Sequence, residues 1–182
     1  RGITFNITKN KNTVTSDTTT FNTSTIKCDY HTTVGYTQIQ CDWSISNSAF
    51  SPKSVSGDVK VRFSGRMYNT AEGIPSFEIK NYASVALSSN EKLKANTWYT
   101  FDSLLDLTKS VSDFTVTFTE ELSAASSAEG AIAQSISKTA TTGLSGFSYI
   151  RFRSGATAGT VTYFDDLKLE YTEPPFEKAE IK

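Results

Sequence analysis

Residues 159–171 read Gly-Thr-Val-Thr-Tyr-Phe-Asp-Asp-Leu-Lys-Leu-Glu-Tyr, a pattern that constrains the chain more than any other stretch does. Val161, Tyr163, Leu167, Leu169 and Tyr171 share one alternating phase, and Thr160, Thr162, Asp166, Lys168 and Glu170 share the other. A period of two with apolar residues on one side describes a strand packed on one face and wet on the other. Asp165 breaks the pattern by falling in the apolar phase. A carboxylate there needs a cation, a dense set of donors, or a bulge that turns it outward. After Tyr171 the text changes to Thr-Glu-Pro-Pro, which reads as a linker. The expected division is therefore a β domain over 1–172, with 173–182 as linker and the start of a further module.

The rest of the chain repeats the same theme in shorter runs. Residues 3–8 alternate, as do Val59, Val61 and Phe63, then Phe114, Val116 and Phe118, then Ile150 and Phe152. Residues 9–20 read as a polar loop, 76–87 as a hairpin or bent strand, and 123–143 as a long loop with a brief strand near 132–136. About nine or ten short antiparallel strands, no convincing long helix and no internal repeat predict an all-β sandwich. Residues 25–45 read as a hairpin. With a two-residue turn at Val34-Gly35, Tyr30 faces Ile39, Cys28 faces Cys41 and Ile26 faces Trp43, all on one face. That register predicts a cross-strand Cys28–Cys41 disulfide; the competing reading is two buried free thiols.

Composition removes several classes of function. The net charge of −1 gives no electrostatic case for nucleic acid or an anionic membrane. No apolar run approaches the roughly 20 residues of a membrane-spanning helix. Two Cys and one His fall short of a four-ligand zinc site. His31 has no nucleophile-and-acid context around it. Glu120, Glu121, Asp102 and Asp106 are acids at strand ends, where solvated carboxylates are ordinary, although paired-carboxylate chemistry recruits distant strands.

The closing run Tyr-Phe-Asp-Asp-Leu-Lys-Leu resembles the final strand of carbohydrate-binding modules with a β-jelly-roll fold, found in secreted, multi-domain glycan-degrading proteins. The resemblance covers residues 145–171 and, more weakly, 96–107. It implies a jelly-roll β-sandwich, secreted or at the cell surface. The chain would then be non-catalytic and monomeric, holding an appended enzyme near a plant cell-wall polysaccharide. In several such families the Asp of this strand helps to hold a structural calcium, which carries over to Asp165 and Asp166 only.

Glycan recognition needs rings for the CH faces of sugars and planar polar groups for their hydroxyls. Trp98 and Tyr149 lie in polar phases, and Tyr68 is carried on a polar turn over residues 66–73. Arg62, Arg151, Arg153, Gln38 and Gln40 are the polar candidates, and Arg151 and Arg153 together suit a uronate carboxylate. Each has a plainer reading: Trp98 folded over the sandwich edge, and the arginines in solvated ion pairs. A structural or adhesive β-sandwich that binds protein or spaces domains is the alternative function. A lyase or hydrolase of related fold is the third.

Overall fold

The computed structural model describes residues 3–8, 14–29, 37–45, 60–79, 83–87, 90–106, 111–122, 133–143, 149–154 and 158–171. They form twelve strands: β1 (Ile3–Thr8), β2 (Val14–Asp17), β3 (Thr25–Asp29), β4 (Thr37–Ile45), β5 (Lys60–Asn69), β6 (Ser76–Ile79), β7 (Ala83–Ala86), β8 (Trp98–Asp106), β9 (Val111–Glu120), β10 (Ser135–Gly143), β11 (Tyr149–Ser154) and β12 (Val161–Tyr171). The strands pair antiparallel in two sheets. One is five-stranded, in the order β1-β4-β11-β6-β7; the other is seven-stranded, in the order β10-β9-β8-β5-β12-β3-β2. This is the β-sandwich that the alternation predicts, of the jelly-roll type that the resemblance implies, with β12 paired between β5 and β3.

Phenylalanine joins the two layers. Phe63, Phe101, Phe114, Phe118 and Phe164 of the seven-stranded sheet, and Phe77 and Phe152 of the five-stranded sheet, are almost completely buried. Phe77 meets Phe152 at 4.8 Å, Phe101 at 5.6 Å and Phe118 at 6.0 Å between ring centroids. Phe152 stacks on Phe101 at 5.6 Å and meets Phe164 edge-on at 5.2 Å. Each such contact adds about 0.5–1.5 kcal/mol beyond the burial of area. Ser103, also buried, satisfies its hydroxyl by donating to the Phe63 carbonyl at 2.9 Å.

Four sequence expectations need correction. The hairpin over residues 25–45 does not exist: β3 lies in the seven-stranded sheet and β4 in the five-stranded one. Alternation reports which face of a strand is buried, not which strand lies beside it, and both strands face one core from opposite layers. The disulfide built on that hairpin goes with it. Cys28 is a buried free thiol, its pKa pushed up to about 12 by burial and then by Asp29. Second, the polar run 9–20 contributes β2, an edge strand paired with β3. Third, β10 extends over Ser135–Gly143 in register with β9, joined by the hydroxyl contacts Thr115–Thr139, Thr117–Ser137 and Thr119–Ser135. A strand of Ser, Thr and Ala carries little apolar periodicity, which hides it in the sequence. The fourth concerns β12. Its phase changes midway, and that change makes the site described next. The Val34-Gly35 turn, His31 and the linker after residue 171 lie outside the described residues.

Candidate functional site

Thr160, just ahead of β12, is buried, and before its Asp pair the strand turns Thr162 and Phe164 into the core and Tyr163 away from it, opposite to the phase read from sequence. The pairing with β5 then slips. Asp165 stands opposite Arg66 and Lys168 opposite Ser64, three steps on β12 against two on β5. One extra residue is a β-bulge. Asp166 absorbs it with φ of 49°, a conformation that Asp tolerates better than most residues. Its N–H is held by Asp165 Oδ1 at 2.8 Å. Beyond the bulge the phase matches the sequence reading: Lys168 and Glu170 are exposed and Leu169 is paired with Phe63. Gly65 accepts this crossing because it has no side chain. A Cβ there would stand 2.8 Å from Leu167 Cδ2 and 3.1 Å from the Asp165 carbonyl oxygen.

The bulge therefore presents Asp165 on the outer face of the seven-stranded sheet, where Arg66 awaits it. Arg66 Nη1 donates to Asp165 Oδ2 at 3.3 Å, and Nε and Nη2 grip Glu121 at 2.7 and 2.8 Å. Bonding to Glu121 raises the guanidinium's pKa further. The same guanidinium lies 4.5 Å from the centre of the Trp98 ring. Alongside, Arg62 donates Nε and Nη2 to Asp102 at 2.7 and 2.5 Å, while Lys168 pairs with Glu170 at 2.8 Å.

These side chains line an open groove of about 430 Å³ over β5, β8 and β12, bounded by Arg62, Ser64, Arg66, Asp102, Asp166 and Lys168 among others. Arg62, Arg66 and Lys168 are matched there by Asp102, Asp166 and Glu170, so the lining is neutral overall yet rich in donors and acceptors. Beyond Arg66, which lines the groove and stands over Trp98, lies a group of four rings. Tyr163, Tyr68 and Trp98 stand opposite one another on β12, β5 and β8. Phe21 lies between them, edge-on, at 5.1, 4.9 and 4.9 Å. Tyr68 also donates its hydroxyl to Asn96 Oδ1 at 3.1 Å, and burial raises its pKa.

The residues singled out from sequence separate onto two sheets. Trp98, Tyr68 and Arg62 come together on the outer face just described. Tyr68 belongs to strand β5 and not to a turn; Trp98 and Tyr68 are half-buried among rings, and Arg62 holds Asp102, the plainer readings of Trp98 and of the arginines. Tyr149, Arg151 and Arg153 lie on β11, and Gln38 and Gln40 on β4, in the other sheet. There the register sets Arg151 opposite Gln40 and Glu78, and Arg153 opposite Gln38 and Ser76. The sequence reading missed Phe21 and Arg66, and took Tyr163 for a core residue and Glu121 for a solvated strand-end acid. A single large aromatic within the polar run 18–24 was the available signal for Phe21.

Asp165 and Asp166 do not fit a calcium ion. Asp165 already faces the Arg66 guanidinium and the Asp166 amide, and no group of three acid, His or Cys side chains converges among the described residues. The expected cation is an arginine.

No protein-family model matches the chain, and no curated protein matches it. Among solved structures it is similar to the Lotus tetragonolobus seed lectin, with a TM-score of 0.39 and 9% identity over 94% of each chain. It is similar to peanut lectin with a nine-residue peptide as well, with a TM-score of 0.38 and 9% identity over 94% of this chain and 100% of that one. Likenesses this distant bear on neither ligand nor site.

Proposed function

We propose that this chain is a non-catalytic glycan-binding module whose site is the groove over β5, β8 and β12. The observation that carries the reading is the neutral lining of paired guanidinium, ammonium and carboxylate groups beside a cluster of rings. A sugar hydroxyl both donates and accepts, so it suits a surface that offers both. A charged ligand would leave half of that lining opposed, which favours a neutral glycan over a uronate. Asp102 is already oriented by Arg62, and its oxygens retain lone pairs for hydroxyl donors. Several hydrogen bonds of about 0.5–1.5 kcal/mol and one or two ring contacts of similar size give about −6 kcal/mol, a dissociation constant of tens of micromolar.

The acids that could serve a hydrolase are engaged otherwise. Glu120 accepts from Lys94 Nζ at 2.9 Å and its pKa is lowered by that bond, away from the raised value a general acid requires. Glu121 and Asp102 are held by Arg66 and Arg62. In the wider reading the chain is a monomeric module, secreted or at a cell surface. It would concentrate an attached enzyme on a plant cell-wall polysaccharide without new chemistry.

A second location for the same function is the Gln38, Gln40, Arg151 and Arg153 patch, favoured by the register that assembles it on adjacent strands. Affinity electrophoresis against xylans, mannans, β-glucans, xyloglucan and pectins tests the proposal. Retardation by a neutral polysaccharide, weakened by Asp102→Ala, is the expected result. Failure of the folded protein across the whole panel, with Phe21→Ala failing alike, would leave the structural or adhesive role instead.

A further inference from the structure

The 18–24 segment is exposed at every position except Phe21. Nothing about such a segment requires a ring at its centre, yet Phe21 sits within about 5 Å of three others, meeting Tyr68, Trp98 and Tyr163 at interplanar angles of 68°, 67° and 83°. Those three rings belong to one row across adjacent strands and form a cup that admits a single ring-sized group. The cup lies next to the groove: the adjoining row of the same face is Asp165, Arg66 and Thr100, and Arg66, which stands over Trp98, and Thr100 both line the groove. Phe21 is presented by a turn that Asp17 organises, accepting from the Thr19 and Thr20 amides at 3.0 and 2.9 Å and from the Thr20 hydroxyl at 3.0 Å.

We infer that Phe21 occupies a sugar subsite of this groove, acting as an internal stand-in for one pyranose ring that a bound glycan displaces. The inference rests on the glycan-binding reading above. It says where the ring contacts counted in that reading are made, in the cup that Phe21 fills in the free chain. The ligand that fits is a neutral glycan, one residue in the cup and its neighbours along β5 among the paired charges. Because the cup is closed in the free protein, the apparent affinity is reduced by the fraction of molecules whose segment is open.

The test is affinity electrophoresis of the wild type, Phe21→Ala, Asp17→Ala and Phe21→Ala/Trp98→Ala on gels containing soluble β-glucan, xylan, mannan or xyloglucan. Thermal unfolding is followed for each. Phe21→Ala is expected to bind about tenfold more tightly. Asp17→Ala loosens the turn without removing a ring, and is expected to gain about threefold on the same argument. Adding Trp98→Ala should erase the Phe21→Ala gain. A gain for Phe21→Ala where the wild type is not retarded also supports the inference, since the site is then shut in the free chain. If the wild type is retarded and a cooperatively folded Phe21→Ala binds no better, the subsite inference is overturned while the groove stands. If neither is retarded by any polysaccharide, both fall. Should Phe21→Ala fail to fold, Asp17→Ala decides in the same way.

Discussion

The seven-stranded sheet carries a cluster of rings on each of its faces, and the two clusters differ in kind. Inside, Phe63, Phe101, Phe118 and Phe164 meet Phe77 and Phe152 of the opposite sheet, fully buried. Outside, Tyr68, Trp98 and Tyr163 carry polar handles, one bound to Asn96, and the lone Phe among them arrives from an exposed segment. A polar atom on a core ring requires a partner in the dry interior, as the buried Tyr99 hydroxyl has in Gln134, and most rings of the inner cluster avoid that need by being Phe. A recognition surface needs rings that tolerate both a dry and a wet state. The contrast lies in residue choice and in placement: the inner cluster holds the sandwich together, and the outer one lies beside the groove.

The largest effect should come from breaking the inner cluster. Phe77→Ala removes the ring that five others touch and is expected to cost about 3–5 kcal/mol, read from the midpoint of denaturant unfolding. A loss below about 1 kcal/mol would mean that the two clusters do not differ in structural role. Next is Gly65→Ala, which touches both faces at once. The added Cβ collides with Leu167 and the Asp165 carbonyl, so about 1–3 kcal/mol should be lost, with glycan binding weakened as the bulge shifts. Unchanged stability would show that the bulge can be rebuilt without this glycine.

A smaller effect concerns pH. Hydrogen bonds from the Thr20 and then the Thr19 amide hold the Asp17 carboxyl below its ordinary value of 3.8. A depressed folded pKa contributes stability that is present above the unfolded value and is lost as pH falls through the folded one. The turn that presents Phe21 should therefore stay closed at neutral pH and loosen below pH 3.8, seen as faster proteolysis within residues 18–24 than within the strands. The smallest expected effect is none at all. Cys28 is a free thiol on the inner face, so a reductant should leave the melting temperature unchanged, and a drop of several degrees would restore the disulfide.

The fold class was legible because half-burial writes itself into alternation. Phe114, Val116 and Phe118 between threonines admit only one face inward, and β9 obeys. Sheet membership was not legible, because β3 and β4 have compatible patterns whether they pair or face each other across the core. The Asp pair was half legible. Asp165 in an apolar phase announced an irregularity, and a bulge was one of three ways to resolve it. Which way was chosen depended on Arg66 and Gly65, about a hundred residues away in sequence. The site was legible only in parts. Trp98, Tyr68 and Arg62 were found as residue types, while their partners Phe21, Glu121 and Asp102 became visible only once β5, β8 and β12 lay side by side.

The most direct measurement compares Asp102→Ala and Arg151→Ala on gels containing whichever polysaccharide retards the wild type. Asp102 lines the groove of the seven-stranded sheet, and Arg151 lies at the centre of the other sheet. Asp102 and Arg62 form an exposed pair worth no more than about 1 kcal/mol to stability, so a loss of binding there would not reflect unfolding. Asp102→Ala is expected to lose about tenfold or more in affinity, the equivalent of one charge-assisted hydrogen bond, with Arg151→Ala unchanged. The reverse result, with binding lost on Arg151→Ala and kept on Asp102→Ala, would place the site on the five-stranded sheet and contradict the proposed groove.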